Sequence, residues 1–203
     1  MSDLLTEALP TVWHGQAIDP DFRHMVWLCN TYRRGAGDDP LALACRAIRR
    51  FYREPGPLLE TAQACSEWYQ HLIEFYQAGE TATEGSSARS SGAAATLPFD
   101  YHCDAAYIIA GFQRLYGIDL TCEKVHWFRF RALLRGVIGE DCMFSRIIDW
   151  RTADLTSKSP EERRFYEDKR ELFALPSELR GGAVVAETVD EHNSAFIARF
   201  RSR

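Results

Sequence analysis

Asp39-Pro40-Leu41-Ala42-Leu43-Ala44-Cys45-Arg46-Ala47-Ile48-Arg49-Arg50-Phe51-Tyr52 is the stretch from which the fold class is read. Asp39 is an N-cap residue, and Pro40 falls at the first helical position, where its missing N–H costs nothing and its φ is already set. Leu41, Ala44, Cys45, Ile48 and Tyr52 then recur at helical spacing, with arginines between them, so the segment predicts an amphipathic helix. The same grammar extends in both directions. Upstream, Asp19-Pro20-Asp21 opens a helix carrying Phe22, Met25, Val26, Cys29 and Tyr32, with Gly35-Ala36-Gly37 to end it. Before that, Thr11-Val12-Trp13 and Gln16-Ala17-Ile18 flank His14-Gly15, a two-residue connection of hairpin length. Downstream, Pro55-Gly56-Pro57 breaks the chain, and Leu58 to Ala78 carry Ala62, Cys65, Trp68, Tyr69, Leu72, Phe75 and Tyr76 on one face. The reading is a mainly α protein, with bundle-like multi-helix lobes and a small N-terminal β-hairpin.

The composition changes at Glu80. From there to Thr96 the chain is Ser, Ala, Gly, Thr and a few charges, with too little apolar surface to offset the entropy of ordering it. Four regions are therefore expected: a hairpin and helical lobe over 1–79, a flexible linker over 80–97, a second helical lobe over 98–175, and a mobile tail over 176–203. In the second lobe, Tyr101, Ala105, Ile108, Ile109, Phe112 and Leu115 mark a helix that stops at Gly117. Thr121 is expected to cap the next, from Cys122 to Arg135, whose apolar residues surround most of its circumference, a pattern of buried helices. A shorter helix is expected over Asp141 to Trp150. Ser159-Pro160-Glu161-Glu162 is a capping box. The helix it starts is nearly all charge of alternating sign, relieved by Phe165-Tyr166 and Leu172-Phe173, a narrow docking stripe beside a solvated face.

A length of 203 residues suits one domain with appendages or two small lobes, and 46% hydrophobic with 26% charged residues is ordinary globular usage. A net charge of -5 lacks the positive field of a non-specific nucleic-acid binder. Arg46, Arg49, Arg50 and Arg53, interleaved with Phe51 and Tyr52, make the best local case for such binding, but the outer face of an amphipathic helix explains them more simply. Apolar runs are too short for a membrane span, and the start MSDLLTEALP has no basic n-region or apolar core, so a cytosolic protein is expected. The cysteines lie in helical segments and read as reduced, mostly buried thiols. Cys122 and His126, with His102, Cys103 and Cys142, allow an imagined metal site, but no Cys-x-x-Cys or His-x-x-x-His spacing supports it. No phosphate-binding glycine loop is present. No catalytic residue, metal or cofactor is expected, and the protein is read as no enzyme.

Tyr116-Gly117-Ile118-Asp119-Leu120, His126-Trp127, Phe130-Arg131-Ala132-Leu133-Leu134, Phe144, Ile147-Ile148 and Arg151 occur in an order that resembles a family of small siphophage and prophage proteins encoded in tail modules. That family resembles tail assembly chaperones. Leu4-Leu5-Thr6-Glu7-Ala8-Leu9-Pro10, Asp21-Phe22-Arg23, Phe99-Asp100-Tyr101 and the closing run through Tyr166 to Leu172-Phe173-Ala174-Leu175 agree with it. The resemblance implies an assembly factor in the host cytoplasm that binds the tape-measure protein, brings tail-tube subunits to it, and is absent from the mature virion. A structural virion component, such as a tail-completion or head-tail connector protein, is the alternative. On the chaperone reading, an apolar groove near Trp127, Phe128 and Phe130, with Arg131 at its rim, is expected to receive partner helices.

Overall fold

The computed structural model describes residues 7–34, 39–77 and 98–180. The Gly35-Ala36-Gly37 stop, the linker expected over 80–97 and the tail from residue 181 onward lie outside the described residues. Within them the protein is mainly helical with one small hairpin, and the chain falls into two compact units. None of the described helices is long and apolar enough to cross a membrane.

In the first unit, β1 (Val12–Trp13) and β2 (Gln16–Ala17) pair antiparallel through the His14-Gly15 turn. Both turn residues have positive φ, 47° and 80°, the geometry whose twist matches a hairpin, and Gly15 adopts it without steric cost. Helix α1 (Phe22–Arg33) is capped by the Asp21 side chain, which accepts the N–H of Arg23. Helix α2 (Pro40–Phe51) has Asp39 as its N-cap and Pro40 at its start. Its buried face is Leu43, Ala44, Ala47, Ile48 and Phe51. Leu41 and Cys45, expected to lead that face, are only half-buried. A 3-10 turn (Pro57–Leu59) precedes α3 (Ala62–Gln77), so the helix expected from Leu58 begins later.

The helix expected from Cys122 does not form there. Leu120 to Cys122 make a turn, in which Asp119 accepts the N–H of Thr121, and α5 begins only at Trp127 and ends at Ile138. The backbone before it is recruited by the start of α1 instead. Val125 accepts the N–H of Phe22 at 2.9 Å, and Pro20 accepts the N–H of Trp127 at 2.8 Å. Val125–Arg129 therefore belongs to the first unit, whereas the sequence places it in the second lobe. Phe75 centres this unit's aromatic core, with ring centroids 4.9 Å from Phe51 and 4.8 Å from Phe128.

The second unit comprises residues 98–124 and 130–180 of the described chain. Asp100 accepts the N–H groups of His102 and Cys103, forming a turn that delays α4 to Ala105–Tyr116. Gly117 ends α4 in the left-handed region, at φ 67°. The rest of α5, α6 (Met143–Thr152) and α7 (Pro160–Leu172) follow. Phe112 and Phe130 stack with centroids 5.2 Å apart. A buried ion pair orders the unit: Arg151 donates to both Asp104 oxygens at 2.7 and 2.9 Å. The same guanidinium donates to the carbonyls of Phe173 and Pro98, so its donors serve three separate segments. At the start of the region read as a tail, for which one short helix is compatible with the sequence, α8 (Ser177–Arg180) forms, with Leu179 buried alongside Leu175.

Candidate functional site

Trp127, Phe128, Phe130 and Arg131 form no open groove. They are 1%, 4%, 1% and 9% exposed. Trp127 stacks on Tyr76, and its Nε1–H donates to the Tyr76 carbonyl at 2.9 Å. Phe128 packs on Phe75, while Phe130 and Arg131 lie in the second unit. The nearly all-round apolar pattern of α5 thus reflects interior packing. Phe51 and Tyr52 are equally buried and unavailable to stack a base between the arginines of α2.

Among the described residues the exposed large apolar side chains are Val12, Tyr116, Met143, Phe165 and Leu172, and the last two share α7. Its capping box forms: Ser159 Oγ accepts the Glu162 N–H, and the Glu162 carboxylate accepts the Ser159 N–H, which lowers the pKa of Glu162. The two apolar pairs divide between inside and outside. Tyr166 donates to Asp149 at 2.9 Å, and Phe173 stacks on Trp150 at 5.2 Å. Phe165 and Leu172, seven residues apart on the same helix, are 49% and 69% exposed. Arg170 fixes the helix against α6 by donating to the carbonyls of Trp150 and Ala153. Lys169 lies over the rings of Trp150 and Phe165, a cation beside the outward aromatic face.

Thiol chemistry has little support. Cys45 and Cys65 are 3.4 Å apart, but burial pushes the Cys65 thiol up to about 12, far from a thiolate at neutral pH. Cys103 and Cys122 are exposed, contrary to the expectation of mostly buried thiols for these two. Among the described residues the imagined cluster of His102, Cys103, Cys122, His126 and Cys142 does not gather; the group that does is His14, His71 and Glu74. Its donor atoms all lie within 4.8 Å of one another. Glu74 sits 3.0 Å from His14 Nε2, and the two imidazoles stack at 3.8 Å. Burial, and next the neighbouring His14, lower the pKa of His71 and favour its neutral ring. The signal for this group in the sequence is His71-Leu72-Ile73-Glu74, two potential ligands one helical turn apart, while its third member, His14, is far away in the chain.

A family model described as Bacteriophage Gp15 protein matches residues 44–175. No curated protein matches the chain, and no solved structure does.

Proposed function

The chain belongs to the bacteriophage Gp15 protein family, and from that premise we propose that it is a tail assembly chaperone that binds the tape-measure protein and helps recruit tail-tube subunits. It works in the host cytoplasm, by binding and not by catalysis, and leaves before the virion is mature. The observation that carries this reading is the outward pair Phe165 and Leu172 on a helix otherwise covered in charge, within the span matched by the family. Apolar residues at i and i+7 are two anchors on one helix face, the spacing at which an amphipathic partner helix docks. The charges around them keep the free chaperone soluble while the anchors cover apolar surface of a partner that would otherwise aggregate.

Co-expression with the tape-measure protein of the same phage or prophage tests this. The wild-type chain is expected to hold the tape measure in the soluble fraction and co-purify with it. A double variant, Phe165→Ser with Leu172→Ser, is expected to lose at least tenfold of that co-purification with an unchanged circular dichroism spectrum, because both side chains are largely solvent-exposed. An unaltered tape-measure solubility overturns the chaperone role. Recovery of the protein in purified particles by mass spectrometry assigns it to the virion instead. Retained binding by the double variant overturns the assignment to α7.

A further inference from the structure

We propose that His14, His71 and Glu74 form a binding site for a divalent transition-metal ion of the zinc class. Two imidazole nitrogens and one carboxylate oxygen are the donor set of a three-ligand zinc site, with a fourth position open to water. Imidazoles select zinc and its neighbours over magnesium and calcium, which take oxygen ligands. Donors around one tetrahedral zinc ion, at about 2.0–2.1 Å each, lie roughly 3.3 Å apart. These three donors already lie within 4.8 Å of one another.

Three features point to a ligand and not to a chance meeting of polar side chains. His14 has a left-handed backbone, φ 47°, a conformation that histidine adopts more readily than most residues, and the turn holds its ring 3.8 Å from that of His71. Trp13, its neighbour, donates through Nε1–H to the carbonyl of His71 at 2.7 Å, so the hairpin is pinned to α3 at the ligand residues themselves. His71 Nδ1 is buried and has no hydrogen-bond partner among the described residues, an arrangement that a ligand would relieve. Glu67, one helical turn before His71, adds negative potential toward a cation.

Two parallel rings cannot both aim a lone pair at one ion, so one imidazole must swing when the metal is captured. His14 is the ring able to do so: its side chain is 42% exposed on a turn, whereas His71 is held on a helix and bordered edge-on by Trp68. Glu74, already 3.0 Å from His14, accompanies it. The site closes by exchanging the stacked contact for three metal bonds, one from each side chain, which ties the hairpin to α3.

The test uses the full chain without an affinity tag, titrated with Zn2+ by calorimetry and with Co2+ by absorption. One ion per chain is expected, with no thiolate-to-metal band in the Co2+ spectrum. His14→Asn, which suits the left-handed turn, and Glu74→Gln are each expected to weaken binding at least tenfold while leaving circular dichroism unchanged. Absence of saturable binding overturns the site. Unchanged affinity in both variants, or a thiolate band placing the ion on cysteine, overturns it as well.

Discussion

Trp127 is held in three ways at once. Its backbone N–H donates to Pro20, its indole N–H donates to Tyr76, and its ring stacks on the Tyr76 ring. Truncation to alanine removes a fully buried aromatic ring and leaves the Tyr76 carbonyl without its indole donor. Trp127→Ala is therefore expected to destabilise the protein by about 3–5 kcal/mol, read as a shifted urea midpoint in far-ultraviolet circular dichroism. An unfolding curve superimposable on wild type would mean that the ring is not core. Its neighbour His126 is as tightly specified. Nδ1 accepts the N–H of Phe128 at 3.1 Å, and Nε2 faces the Pro10 carbonyl at 3.0 Å, so the folded arrangement uses a neutral ring with its proton on Nε2. Aromatic residues at helical spacing advertise burial or a binding face equally well, and only their tertiary neighbours decide between the two. That is why a groove was legible at Trp127, Phe128 and Phe130 but does not exist there.

Among the elements, those encoded locally were the readable ones. The Asp39-Pro40 start of α2, the hairpin around His14-Gly15, the Gly117 stop and the Ser159 capping box all depend on residues within one turn of one another. The start of α5 does not. Thr121 has suitable cap chemistry, but the residues after it pair with Pro20 and Phe22, and no local pattern records so distant a partner. Similarly, the Phe165-Tyr166 and Leu172-Phe173 pairs reveal a stripe, while which member turns outward depends on the roll of α7 against α6. Being solvated, α7 should depend heavily on its cap. Ser159→Ala removes one half of the reciprocal box and is expected to cost ~1 kcal/mol of local stability. Amide exchange in the first turns of α7 should accelerate by about fivefold for that loss, with α4 unaffected. Equal exchange in variant and wild type would deny the cap its role.

At the scale of the whole molecule, burial lowers the pKa of His24, His71 and His126 below the ordinary 6.5. The unfolded chain regains protons on these rings as the pH falls through 6.5, before the folded chain does, so acidification favours unfolding. Their contribution is fully present above that pH and is lost below it. The thermal midpoint is expected to fall between pH 7.5 and pH 5.5, and a His126→Asn variant, whose side chain can still cap α5, should show a smaller fall. A midpoint independent of pH over this interval would exclude the linkage. Another property of the molecule follows from the recruitment of Val125–Arg129 by the first unit. On a translating ribosome, α1 to α3 emerge well before the Val125–Arg129 segment and the two aromatic rings that complete their core. At about 5–20 residues per second, the interval from Gln77 to Arg129 is roughly 3 to 10 seconds. During it, Phe75 and Tyr76 lack the rings of Phe128 and Trp127, so the nascent chain presents an unfinished aromatic surface. The first unit is thus not finished when its own helices have been made: its completion must wait until residues 98–124 of the second unit have been synthesised.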